Sequence, residues 1–211
     1  MKFNINSGKI VVSDPCYENG VECRHLIENA LVGVWVAEVR LSDEGSWGQR
    51  VSELVIRHES CKLTVEPYSL ESSDIGVDSG QAGFFDADAY RKDELIIKTP
   101  EFDLGDHGKG DGDKWYSACC DLTLSNERAG VVAETGVVSS SGFGDGCYQL
   151  FVSTNTDGKV IAAKIVFIGP EEEEEEDECW GCNNPESECT CCQECGKGDC
   201  DGECQNEPEE D

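Results

Sequence analysis

The sequence predicts a mainly β domain, an antiparallel sandwich or an open barrel with one or two short helices. An α+β arrangement is the variant, and a small cysteine-rich metal-binding tail follows. Three observations carry this. Short apolar runs alternate with polar residues at period two and are set apart by turn residues. Asp157-Gly158 sits between two β-rich runs, a strong hairpin signal. Eight of the 14 cysteines crowd into residues 179–204.

In chain order, Lys9 to Val12 reads as a short strand broken by Asp14-Pro15. Residues 22–31 place Cys23, Leu26, Ile27 and Ala30 at helical spacing, with Gly33 closing the segment, so a helix is expected there. Val34 to Leu41 alternates, with Trp35, Ala37, Val39 and Leu41 on the buried face. Arg50 to His58 alternates likewise, with Leu54 and Ile56 inward, and the two runs pair antiparallel. Residues 61–65 offer a third strand.

Asp86 is a suitable N-cap for a short helix from Ala87 to Asp93. Leu95 to Ile97 reads as a brief strand, and residues 99–114 as a polar, glycine-rich surface loop. Trp115 to Leu124 alternates once more and is read as a strand. Val131-Val132 and Val137-Val138 suggest a further strand or a hairpin, and Tyr148 to Ser153 pairs with Lys159 to Ile168. The globular domain is expected over residues 1–170, an acidic linker over 171–178, the cysteine module over 179–204 and an acidic terminus over 205–211.

The chain carries a net charge of −29. Residues 1–170 hold 15 Lys and Arg against 27 Asp and Glu, and residues 171–211 hold 1 against 18. Such acidity disfavours direct contact with nucleic acid or an anionic membrane, allows a basic protein partner without requiring one, and on charge alone reads as keeping the chain in solution. No apolar run reaches the ~18 residues needed to span a bilayer. Met1 to Asn6 has neither the basic nor the apolar region of a secretory signal. The expectation is a cytoplasmic protein whose cysteines are thiols or metal ligands.

Three stretches combine glycine, aspartate and an aromatic: Ser13-Asp14-Pro15-Cys16-Tyr17, Gly76 to Asp88, and Ser141 to Tyr148. With Trp115-Tyr116, this ordered set resembles a family of uncharacterised small proteins from bacteria and their phages, known only as a domain of unknown function. The resemblance implies an all-β or α+β domain without an assigned activity. If the gene is phage-borne, the resemblance also implies the cytoplasm of a bacterial host and a host protein as partner.

Read as chemistry, the stretches supply Asp14, Asp78, Asp86 and Asp145. Gathered at one end of a sheet, these would hold a hard divalent cation such as Ca²⁺ or Mg²⁺, or serve acid–base catalysis. The plainer reading is that they make turns and accept backbone N–H bonds, and it is preferred. Nucleophilic catalysis by Cys16 with His25 or His58 has little support from spacing.

The tail forms two four-cysteine units, Cys179, Cys182, Cys189 and Cys191, then Cys192, Cys195, Cys200 and Cys204. Each supplies the four thiolates of a closed tetrahedral Zn²⁺ site, so two structural zinc ions are expected. Four disulfides, or a metallothionein-like cluster, are the alternatives. The leading function is a non-enzymatic binding protein with a zinc-binding module. The rivals are a divalent-metal-dependent hydrolase using the four aspartates, and a metal buffer.

Overall fold

Gln81–Asp86 is a strand buried along its whole length, and the layers on its two faces set the architecture. The computed structural model describes residues 1–20, 23–61, 67–105 and 110–169. The described residues form eleven strands and one α-helix. In order these are β1 (Lys2–Ile5), β2 (Ile10–Ser13), β3 (His25–Ile27), β4 (Gly33–Asp43), β5 (Gln49–His58), β6 (Ser69–Val77), β7 (Gln81–Asp86), α1 (Asp113–Thr123), β8 (Ala129–Val132), β9 (Gly136–Ser140), β10 (Gly146–Thr154) and β11 (Val160–Val166).

The first sheet runs β1-β4-β5-β11-β10-β6 and the second β3-β2-β7-β9-β8. All strand pairs within them are antiparallel. Both sheets stay open, and no closed barrel is formed. They share one core, in which Phe3, Trp35, Leu54, Ile56, Ile75, Leu150 and Ile165 from the first sheet meet Ile10, Val12, Phe84 and Val137 from the second. No helix among the described residues is long and apolar enough to cross a membrane.

A second, smaller core lies on the other side of β7. There Phe85 packs with Val11, Tyr90, Trp115, Cys119, Val132 and Val138. Its ring is 5.2 Å from Tyr90 and 5.9 Å from Trp115, centroid to centroid. Alternation thus sends Phe84 into one core and Phe85 into the other. Phe85 fits because Gly83, on the same strand, and Gly136, its partner on β9, carry no side chain: a Cβ on either would lie 2.5 Å from the ring.

The expected pairing of residues 34–41 with 50–58 is present as β4 and β5, with Trp35, Ala37, Leu54 and Ile56 inward. Leu41 differs. It follows a register shift at Arg40–Leu41 and is exposed, while its partner Val51 stays in the core. The hairpins β8–β9 and β10–β11 also form as read.

Four elements differ from expectation. Trp115 to Leu124 is helix α1, not a strand. Its inward residues Trp115, Ala118, Cys119 and Leu122 recur at helical spacing. The start of α1 carries no local capping side chain. Asp93, about 20 residues upstream, accepts the amides of Gly112 at 3.0 Å and Trp115 at 2.8 Å instead. The segment within 22–31 is β3, drawn into extended form by the free edge of β2; Ile27 is buried while Leu26 faces water. Ala87 to Asp93 makes turns only: Asp86 caps them through the amide of Asp88, but Arg91 adopts a left-handed conformation and stops the helix. Leu95 to Ile97 leaves a single 3₁₀ turn, Asp93–Leu95, with Ile97 fully in solvent. Residues 62–65, 106–109 and 170–211, including the linker and cysteine module, lie outside the described residues.

Gly83→Ala is expected to destabilise the domain by about 3 kcal/mol. The new Cβ would sit 2.3 Å from the Val137 carbonyl oxygen, a backbone atom fixed in β9. Gly169→Ala, which meets nothing within 4 Å, serves as the control. Urea unfolding followed by far-ultraviolet circular dichroism separates the two.

Candidate functional site

The three glycine- and aspartate-bearing stretches meet at one end of the sheets. Asp14 follows β2 directly and is fully buried. Its Oδ1 accepts the amide of Cys16 at 2.8 Å and the hydroxyl of Ser79 at 2.6 Å. Its Oδ2 accepts the amides of Asp78 at 2.9 Å and Ser79 at 2.7 Å. A buried carboxylate is tolerated when donors surround it in this way. The third stretch joins through the amide of Ser141, which donates to the Gly80 carbonyl at 3.0 Å. Gly146 and Cys147 on β10 also pair with Val77 and Gly76 on β6.

Two residues that the motifs did not single out hold the Pro15–Tyr17 turn from beneath. The Tyr90 hydroxyl donates to the Tyr17 carbonyl at 2.7 Å. Arg91 donates through Nη1 to the carbonyls of Pro15 at 2.7 Å and Cys16 at 3.1 Å, and through Nη2 to that of Asp111 at 3.1 Å. A buried guanidinium needs acceptors, and the turn carbonyls supply them, with the Asp113 carboxylate 3.7 Å away. The signal for it in the sequence is only Tyr-Arg after a buried strand.

The exposed side of the junction carries Asp78, Asp145 and Cys147, with the partly covered Cys16, Tyr17, Ser79 and Tyr116 around them. Burial, and then the charge of Asp14 beside it, push the Cys16 thiol up to about 12. Burial also pushes the Tyr116 hydroxyl up to about 12. Burial and then a hydrogen bond to Asp78 raise Tyr17 as well. At neutral pH the Cys16 thiol and the Tyr17 and Tyr116 phenols of the junction are therefore uncharged.

Asp86 lies elsewhere. It pairs with Ile10, whereas Asp14 lies beyond Ser13, so the two carboxylates sit at opposite ends of the β2–β7 ladder. Asp86 accepts the amides of Asn6 at 2.6 Å, Ser7 at 2.8 Å and Asp88 at 2.9 Å. Among the described residues, no three His, Cys, Asp or Glu side chains converge to hold a metal ion. The two described histidines have partners away from Cys16: His25 with Glu71 at 3.2 Å, and His58 with Ser60 at 2.7 Å and the Val32 carbonyl at 3.2 Å. The six cysteines of the described residues are free thiols.

An apolar groove of about 380 Å³ opens elsewhere, between α1, β8 and residues 95–100, with Ile96, Pro100, Leu122 and Val131 in its lining. The mouth of that groove has no counterpart in the sequence reading.

Residues 3–165 match the model of the family described as "protein of unknown function (DUF4241)". The chain belongs to that family. No curated protein and no solved structure matches it. The span shared with DUF4241 runs from β1 into β11, so it contains both sheets, α1 and the three-stretch junction. The acidic run and the eight clustered cysteines follow it.

Asp14→Ala leaves three amides and a hydroxyl without their acceptor and is expected to cost roughly 3 kcal/mol or more. Asp78→Ala, at an exposed side chain, is expected to stay within about 0.5 kcal/mol of the parent. Denaturant unfolding of the two variants checks this. Alkylation by iodoacetamide at pH 8, read by peptide mass mapping, should modify the exposed Cys23 and Cys147 first and Cys16 and Cys119 last. A pKa raised from 9.0 to about 12 leaves Cys16 roughly a thousandfold less thiolate at that pH.

Proposed function

We propose that this protein is a non-enzymatic binding protein whose β body engages a protein partner through the junction of the three stretches. The supporting observation is how the junction engages Asp14 and Cys16. Asp14 is consumed by four internal donors, and the Cys16 thiol is held in its unreactive protonated form. The result is a stiff rim with neutral hydrogen-bonding groups and two exposed carboxylates, suited to recognition. We place the protein in the cytoplasm, where fourteen thiols stay reduced.

The cysteine module is, on this reading, a closed two-zinc unit joined by the acidic run. The support is the sequence: two sets of four cysteines, each opening with Cys-x₂-Cys, and 26 residues too few to build an apolar core.

Two measurements test the reading. A photo-crosslinking residue at position 145, in cells of the native host, is expected to capture a protein that one at position 156 does not. These positions flank β10 at opposite ends, about 30 Å apart. No capture at 145, or equal capture at both, overturns the binding site. Native mass spectrometry of the intact chain, purified under reducing conditions with zinc supplied, is expected to show two zinc ions. A metal-free chain overturns the module, and more than two readily exchanged ions make it a buffer.

A further inference from the structure

The two most exposed large aromatic side chains of the described residues lie against each other. Trp47, at the tip of the β4–β5 hairpin, is 67 % exposed, and Phe143, in the loop before β10, is 57 % exposed. Their ring centroids are 6.3 Å apart and the planes are nearly perpendicular. Neither belongs to either core.

The backbone beneath each ring is built. The Phe143 loop uses Gly142 at φ +54° and Gly144 at φ +119°, conformations that favour glycine. The Gly144 carbonyl accepts the Tyr148 hydroxyl at 2.6 Å and the Ser141 hydroxyl at 2.8 Å. The Trp47 side is a 3₁₀ turn closed by the Trp47 amide on the Glu44 carbonyl at 3.1 Å. Arg50 lies over Phe143, 5.8 Å from its centroid, and steadies the ring from one side. A tightly tied loop thus holds an aromatic ring in water, where it contributes nothing to the interior.

Aromatic rings with an arginine are the composition of binding hot spots. The charge around them selects the partner. Exposed Asp43 ends β4 just before the Trp47 turn and exposed Asp145 lies in the Phe143 loop, in a domain with 15 Lys and Arg against 27 Asp and Glu. Among the described residues no cation lies over Trp47, the ring type that attracts cations most strongly. We propose that Trp47, Phe143 and Arg50 form a docking surface for a protein segment that carries arginine or lysine beside aliphatic or aromatic residues. The partner's cation stacks on Trp47 and is flanked by Asp43 and Asp145, while its apolar side chains cover Phe143. This rests on the binding reading above and gives it a chemical class of partner.

The test is selection of a displayed random dodecapeptide library on the full chain at moderate and at high salt. Enriched peptides should combine Arg or Lys with apolar residues. They should retain affinity at high salt, where binding to exposed carboxylates alone is screened. Trp47→Ala and Phe143→Ser should each weaken binding at least about tenfold, the size of a hot-spot loss, without moving the thermal midpoint. In the parent chain, labelled with 5-fluorotryptophan, the ¹⁹F resonance of Trp47 should shift on adding peptide while those of buried Trp35 and Trp115 do not. Neutral or acidic peptides, no enriched peptide, or cationic peptides indifferent to both substitutions overturn the proposal. If crosslinking at position 145 succeeds nonetheless, the binding reading survives and only this surface and partner class fall.

Discussion

Everything in this fold depends on β7 having core on both faces. A strand in an ordinary two-layer sandwich buries one face and shows the other to water. Here Phe84 and Phe85, adjacent in sequence, each anchor a separate core. That requires a third layer, and α1 with the Tyr90 turn supplies it. It also requires neighbours without side chains, which Gly83 and Gly136 provide. The glycine density of the central stretch is thus a packing requirement of one phenylalanine ring, as well as a source of turns.

The ladder between β2 and β7 is clamped at both ends by a buried carboxylate. Asp86 ties the β1–β2 connection at one end, and Asp14 ties the β6–β7 connection at the other. Each aspartate accepts amides from a segment more than 60 residues away in the chain, so each fixes tertiary structure as a hydrogen-bond hub. The exposed carboxylates Asp78 and Asp145 are then displayed on a rim that cannot shift easily. Stability and display come from the same motifs by a division between buried and exposed members.

Period-two patterning made the β class and three hairpins legible, because in β4–β5, β8–β9 and β10–β11 the partners are close in the chain and their turns carry glycine or charge. The readings failed where the deciding interaction is distant. The start of α1 is capped by Asp93 from across a loop, so no local cap marked the helix, and an apparent alternation over Trp115 to Leu124 masked the helical spacing of Trp115, Ala118, Cys119 and Leu122. β3 is extended because β2 offers an edge, which no property of residues 25–27 announces. β6 is polar because it is an edge strand with an outer face in water, and it passed unnoticed for that reason. Of the junction, Asp14, Asp78 and Asp145 were legible as members of glycine-rich turns, while Tyr90 and Arg91 were not. Their role is to meet carbonyl groups, and carbonyl groups leave no trace in the identity of residues.

The order of strands in the first sheet has a consequence for how the chain acquires its structure. The last strand to be made, β11, sits in the middle, between β5 and β10. Until β11 has left the ribosome, β5 lacks its inner partner and the β6–β10 pair cannot join β4 and β5. Contacts this distant close large loops before any burial rewards them, which slows folding. Nearly the whole domain must exist before either sheet can recruit the other.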